Sequence, residues 1–327
     1  MLLDHTDARV QVEPLDDGRS RVVVDAAPGT FVSKRECETR YPRALIERIL
    51  EVKGPAYLCD EIVREEDPQY VALFLRYGLL GFLSPDEFRG ARLLDFGSGS
   101  GASTVILSRM FPDAQIVGVE LEADFVDIAR RRADHYGLRN FEFLQSPDPD
   151  HLPEGIGTFR FVNLSAVYEH LLPHERRKLL PQLWSMLEPG GVMFVNQLPY
   201  RFYPIDQHTT GLPLINYMPA RLAHRYALSR SARVEPGSTW EELLRAGIRG
   251  GTEREVRRDL ERGGAVFESL KPSELGLRSH ADLWYAYSTG ANPHPAKKAM
   301  RIAFRAIHAG TRANFLPGLS LAFRKRA

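Results

Sequence analysis

The chain has 327 residues, 43% of them apolar, enough for one large domain or two ordinary ones with a real core. Its 43 basic and 42 acidic side chains nearly cancel, so bulk charge argues for neither nucleic acid nor a membrane as a partner. Cys37 and Cys59 lack metal-ligand spacing and exclude a disulfide framework, no run approaches ~18 apolar residues, and Asp4 and Asp7 stand where a signal peptide would be basic, so a cytoplasmic globular protein is expected.

Residues 10–25 alternate around Asp17-Gly18, with Val10 and Val12 on one side and Val22, Val23 and Val24 on the other, the pattern of a β-hairpin outside the main sheet. From Pro42 to about Leu83 the period is helical, with breaks at Gly54-Pro55 and Asp67-Pro68. Buried strands are then predicted at 92–96, 116–120, 141–144, 159–164 and 192–197, the last entered through the Pro189-Gly190-Gly191 turn. Between them the spacing predicts helices at 102–111, at 123–136 before Gly137, and at 174–187, where Pro181 marks a kink or the true start. This alternation means an α/β fold with a parallel sheet, whose ligands bind outside the carboxyl ends of the strands.

After the fifth of these strands, 200–236 is rich in Pro, His, Tyr and Arg, shows no sustained period, and reads as an insertion over the sheet edge of the lid or binding-loop kind. Helices follow near 239–246 and 253–261, then a strand at 265–267 and a final strand at 319–323. From Leu283 onward there is no Asp or Glu, and Lys297, Arg301 and Arg305 recur every fourth residue against Met300, Phe304 and Ile307. That basic amphipathic helix reads first as the solvated face of a helix packed on the sheet, with peripheral contact to an anionic membrane or an acidic substrate as the alternative. Nucleic acid is not expected, because the rest of the chain offers no basic excess or aromatic platform for bases.

The first buried strand ends in Asp95-Phe96-Gly97-Ser98-Gly99-Ser100-Gly101-Ala102, and the glycines permit a tight turn and close backbone approach to a ligand. As G-x-G-x-x-A it meets a loose dinucleotide fingerprint, with Glu120 as the acidic strand end. As D-x-G-x-G-x-G it accepts S-adenosylmethionine. Asp95 suits a cationic amino-acid moiety better than a pyrophosphate, and one carboxylate at Glu120 can accept from both ribose hydroxyls, which favours the second reading.

Residues 92–197 resemble a class I S-adenosylmethionine-dependent methyltransferase, through the glycine loop, the Val117 to Glu120 strand end, the Val167-Tyr168-Glu169-His170 segment and the Glu188 to Gly191 turn. The resemblance implies a Rossmann-like, doubly wound, mostly parallel sheet of seven strands, with an antiparallel final strand. It places Asp95, Gly97 and Gly99 about the methionine end of the cofactor, Glu120 on the ribose and Leu121 on the adenine, with Ser98 and Gly101 of the same turn as further cofactor contacts. Many such enzymes have Gly-Asp-Ala after the third strand. This chain has Gln145-Ser146-Pro147-Asp148, so Ser146 or Asp148 would take the adenine contact. The expected divisions are an N-terminal extension at 1–40, a helical cap at 41–90, and the catalytic domain at 91–327 with its insertion at about 200–237 and basic segment at 283–327.

Methyl transfer is a direct displacement needing alignment and, for a hydroxyl acceptor, a base. No metal is expected. His208, in the polar patch Asp206-Gln207-His208-Thr209-Thr210, is the first candidate base, with His170 and Glu169 beside it in rank, and Tyr168, Tyr203 and Tyr217 are candidate acceptor contacts. O-methylation of a small molecule, such as a sugar or lipid-linked glycan, is the expected reaction. Transfer to nitrogen or carbon, a non-catalytic cofactor-binding or membrane-peripheral protein, and a nicotinamide oxidoreductase are the alternatives.

Overall fold

Strict alternation of buried valines builds the N-terminal sheet. In the computed structural model, which describes residues 2–27 and 30–326, β1 (Leu2–His5), β2 (Ala8–Pro14), β3 (Ser20–Ala26) and β4 (Glu36–Thr39) form an antiparallel meander. Residues 1 and 327, the outer ends of the first and last expected segments, and residues 28 and 29 lie outside the described residues. Val10 faces Val24 and Val12 faces Val22, all buried, so the predicted hairpin is present and gains a short strand on either side.

Helix α1 (Arg43–Glu66) covers this sheet with Leu45, Ile46, Ile49, Leu58, Cys59 and Ile62, and is interrupted at Gly54, whose φ of 69° and ψ of 171° break the helical path before Pro55. Helix α2 (Val71–Leu80) begins beyond the Asp67-Pro68 break and packs instead on the main core.

The main sheet follows from the βα repeat. It comprises β5 (Arg92–Phe96), β6 (Gln115–Glu120), β7 (Phe141–Gln145), β8 (Phe159–Ser165), β9 (Leu187–Pro199), β10 (Phe267–Ser269) and β11 (Gly318–Lys325), in the spatial order β10-β11-β9-β8-β5-β6-β7. Strands β5 to β9 are parallel, and β11 is antiparallel to both β9 and β10. The chain leaves β5 toward β6 and β7, then returns to its other side for β8 and β9, so the topological switch lies above the ends of β5 and β8. The connecting helices are α3 (Ala102–Met110), α4 (Ala123–Tyr136) and α5 (Pro173–Ser185). Pro181 lies within α5 and does not mark its start. The Pro189-Gly190-Gly191 segment is a widening inside β9: the register with β8 passes from Phe159↔Leu187 to Phe161↔Val192.

The segment after β9 departs from the expectation of an aperiodic loop. It holds a 3-10 turn at Ile215–Tyr217 and helix α6 (Ala220–Arg230), which with α7 (Trp240–Arg245) builds a small core of Ile215, Ala223, Ala227, Leu243 and Ile248. Then come α8 (Glu253–Arg262), α9 (His280–Thr289) and the basic helix α10 (Pro295–Thr311). Phe304 of α10 is buried edge-on against Trp284 of α9, and Arg301 lies 4.7 Å over the Tyr285 ring. Among the described residues no helix is long and apolar enough to cross a membrane.

Candidate active site

The turn between β5 and α3 needs backbone that side chains resist. Gly97, Gly99 and Gly101 all have positive φ (70°, 55° and 85°), but their surroundings differ. A Cβ on Gly97 would meet Val167 at 2.7 Å and one on Gly101 would meet Ala129 at 2.5 Å, while one on Gly99 would have nothing within 4 Å. The outer two positions therefore serve packing and Gly99 faces open space.

That space is a cavity of about 740 Å³ above the carboxyl ends of β5, β6 and β8. Gly97, Ser98, Gly99, Glu120, Leu121, Ser146 and Asp148 border it, as does His170. Asp95 and Gly101 do not. The Asp95 carboxylate is buried beneath the turn, where it accepts from Ser103 Oγ at 2.6 Å, Thr104 Oγ1 at 2.7 Å and Asn163 Nδ2 at 2.9 Å. Asn163 Oδ1 in turn accepts from Asn196 Nδ2 at 3.0 Å, and burial holds the Asp95 carboxyl above its ordinary pKa. Asp95 thus shapes the turn from below and is buried beneath the cavity in which the methionine end is expected. Glu120 accepts from the Gly99 amide at 2.8 Å through Oε2 and from the Leu121 amide at 2.7 Å through Oε1, so it both braces the turn and borders the cavity.

The far wall comes from the helical cap, which the sequence reading expects to help build the acceptor site without singling out any of its residues. Lys53, Tyr57, Asp60, Glu61 and Arg64 of α1 border the cavity. Lys53 Nζ sits 3.4 Å over the Phe125 ring, and burial lowers its pKa. The available sign was four charged positions on an otherwise sheet-covering helix, flanking its Gly54-Pro55 break.

At the other end the three candidate catalytic residues come together. The loop after β8 forms a 3-10 turn, Tyr168–His170, which buries Glu169 completely with neither carboxylate oxygen partnered, and burial pushes its carboxyl up to about 8. His170 bonds through Nδ1 to the Arg245 carbonyl at 2.6 Å, which makes Nδ1 the protonated nitrogen and leaves Nε2 with its lone pair. His208 stands next to it, ring centroids 5.2 Å apart, although it opens into a second cavity of about 300 Å³ between the insertion and β9. Burial, with the neighbouring imidazole, lowers the His208 pKa to about 4, and burial lowers that of His170, so both rings are neutral at physiological pH. The His208 turn is held by the Asp206 carboxylate, which accepts from the amides of Thr209 and Thr210, and by Thr209 Oγ1, which donates to the Ala246 carbonyl.

The three tyrosines are not among the described residues lining the main cavity. Tyr168 is buried beneath Arg176 and donates to Asp259 at 2.9 Å, Tyr203 packs 5.9 Å from Phe315, and Tyr217 is exposed and donates to the Phe202 carbonyl. Tyr168 thus ties to α8, Tyr203 to the segment before β11, and Tyr217 braces the insertion on itself.

A cofactor of the adenosyl-amino-acid type fits what is present. The cavity offers an open glycine beside a buried Ser98 hydroxyl with no partner among the described residues, an acidic strand end, apolar Leu121 and three cationic side chains, Lys53, Arg64 and Arg245. Residues 93–191 match the family model described as a methyltransferase domain. A demethylmenaquinone methyltransferase of Thermus thermophilus is 32% identical over 33% of this chain and 47% of its own length, and a trans-aconitate 2-methyltransferase of an Azoarcus species is 32% identical over 46% and 53%. Among solved structures, the plantazolicin methyltransferase BamL aligns over 86% of this chain and 95% of its own at 14% identity and a TM-score of 0.47. The chain spans about half the length of these two curated relatives. The fold and the glycine-turn site define a doubly wound α/β protein with a seven-stranded sheet. Over residues 93–191 the chain is similar to a methyltransferase domain, in line with its resemblance to the class I S-adenosylmethionine-dependent methyltransferases.

Proposed function

We propose that the chain is a cytoplasmic S-adenosylmethionine-dependent methyltransferase that methylates an oxygen of a small molecule, the polar and aromatic insertion suiting a sugar or a lipid-linked glycan. The observation that carries this reading is that one cavity joins the glycine turn to the His170 wall, with His208 alongside. Its 740 Å³ falls within the roughly 300–1,000 Å³ of small-molecule sites.

Bound there, the cofactor supplies a methyl group on a sulfonium, open to direct displacement. Gly97, Ser98 and Gly99 hold its amino-acid end, Glu120 the ribose, and Leu121 with Ser146 the adenine. Lys53 and Arg64 complement a carboxylate. Helix α1 forms the wall of the cavity opposite the glycine turn. Neutral His170, oriented by the Arg245 carbonyl, and neutral His208 are the groups able to take a hydroxyl proton at the acceptor end.

Calorimetric titration with S-adenosylmethionine, its demethylated product and NADH tests the reading. Binding of the first two and none of NADH is expected, while tight NADH binding without the sulfonium overturns it. Mass spectrometry and NMR of the methylated product separate oxygen from nitrogen or carbon transfer.

A further inference from the structure

Glu169, His170 and His208 each offer a ligand atom, and these atoms all lie within 4.8 Å of one another. Two of the residues are adjacent in the chain, and the third arrives from a loop 38 residues further on, so the grouping is a product of the fold. The carboxylate is fully buried, and among the described residues neither of its oxygens has a hydrogen-bond partner. An unpartnered buried carboxylate is what packing ordinarily eliminates, by supplying donors or a cation. Here the neighbouring cations are engaged elsewhere: Arg245 makes a two-pronged ion pair with Glu175, and Arg176 donates to the carbonyls of Glu169, Leu171 and Gly250.

The second observation is the space around the cluster. Gly247, at the end of α7, has a φ of +91°, and a Cβ there would lie 2.9 Å from His208 Nε2 and 3.2 Å from Glu169 Cγ. Only a glycine lets the α7 loop close over both side chains. The same loop carries the Arg245 carbonyl that fixes the His170 tautomer, leaving Nε2 as a donor atom. A carbonyl orienting a histidine through its other nitrogen is the usual outer support of a metal ligand.

We propose that Glu169, His170 and His208 bind a divalent first-row transition-metal ion, Mn²⁺, Fe²⁺, Co²⁺ or Zn²⁺, at the acceptor end of the cavity. Two imidazoles and one carboxylate suit these ions better than Mg²⁺ or Ca²⁺, and they leave coordination positions open. Metal–ligand bonds of about 2.1 Å require ligand atoms about 3–3.5 Å apart, so the three side chains draw together on binding. Resting on the methyltransferase reading above, the open positions take the acceptor's oxygen. The histidines then act through the ion instead of as bases, and a coordinated hydroxyl loses its proton to water.

The test uses the full chain without a histidine tag, stripped with chelator and titrated with MnCl₂ or ZnCl₂ in a calorimeter. One ion per chain is expected, with Glu169→Gln and His208→Ala each weakening binding on the order of 100-fold. Demethylated cofactor is titrated into the same samples, which shows that the variants keep their cavity. In wild-type chain labelled at its 10 histidines, Zn²⁺ should shift two imidazoles and saturate at one equivalent, a readout independent of any variant. Absence of ion binding, binding unchanged by both substitutions, or imidazole shifts elsewhere overturns the metal site. If the ion binds and the demethylated cofactor does not, the methyltransferase reading falls and the metal site stands.

Discussion

Gly99 and Gly101 have similar backbones and opposite surroundings, and this difference predicts two kinds of loss. Placing alanine at a left-handed position costs about 1–2 kcal/mol, and at Gly99 the open space adds no clash. At Gly101 the added methyl meets Ala129 at 2.5 Å, and overpacking of this kind costs about 1–3 kcal/mol more. Gly101→Ala is therefore expected to lose about 3 kcal/mol in urea unfolding, the sum of strain and overpacking. Gly99→Ala should keep most of its stability and weaken cofactor binding at least tenfold by calorimetry. Equal stability losses in the two variants would contradict the assignment of Gly99 to the cavity and Gly101 to packing. The same distinction could not be read from the motif, where the two glycines are equivalent. Asp95 was legible as important but not as buried, because its partners Ser103, Thr104 and Asn163 come from two other elements.

Among the elements, α1 is the one whose role exceeds its sequence pattern. Its Glu61 accepts from Ser100 of the glycine turn and from the fully buried Arg132 of α4 at 2.8 Å, so a single carboxylate joins cap, turn and domain. Further out, Arg48 bridges to Asp124 and Asp127 of α4, and Arg109 of α3 pairs with Glu65. Breaking a buried pair leaves an uncompensated charge, so Arg132→Met should cost about 3 kcal/mol or more in chemical denaturation. The double variant Glu61→Leu/Arg132→Met should regain at least half of that loss. A double variant as unstable as the single one would show that packing, not charge, carries the contact. The βα repeat and final strand were legible because each carries its own period or terminator, as with α4 and Gly137. Helix α6 was not, because its inward face is Ala223 and Ala227, residues that leave no large apolar stripe. At the site, Glu169 and His170 could be marked from the chain alone, but their meeting with His208 depends on Gly247, far off in sequence and visible only once α7 is folded.

On the scale of the whole molecule the two largest apolar bodies among the described residues are the N-terminal sheet with α1 and the seven-stranded sheet with its helices, and the cavity lies where they meet. A ligand in it touches both. Hydrogen exchange followed by mass spectrometry should therefore show slowing, by about tenfold or more, in residues 53–64 as well as 97–101 when the demethylated cofactor is added, with 295–311 unchanged. Protection confined to 97–101 would mean that the cap takes no part in binding. Beneath the cavity, within the seven-stranded sheet, runs the line from Asn196 through Asn163 to Asp95 and on to Thr104, crossing β9, β8, β5 and α3. The strands around it are otherwise nearly uniform in apolar residues, and such strands hold each other about as well after sliding by two places as before. Sliding β8 would strip the Asp95 carboxylate of a donor and bury a naked amide among phenylalanines and valines, a penalty charged to every misaligned pairing. The polar line thus acts as an indexing pin: it contributes little to how tightly the sheet coheres and decides which of its near-equivalent alignments the chain adopts.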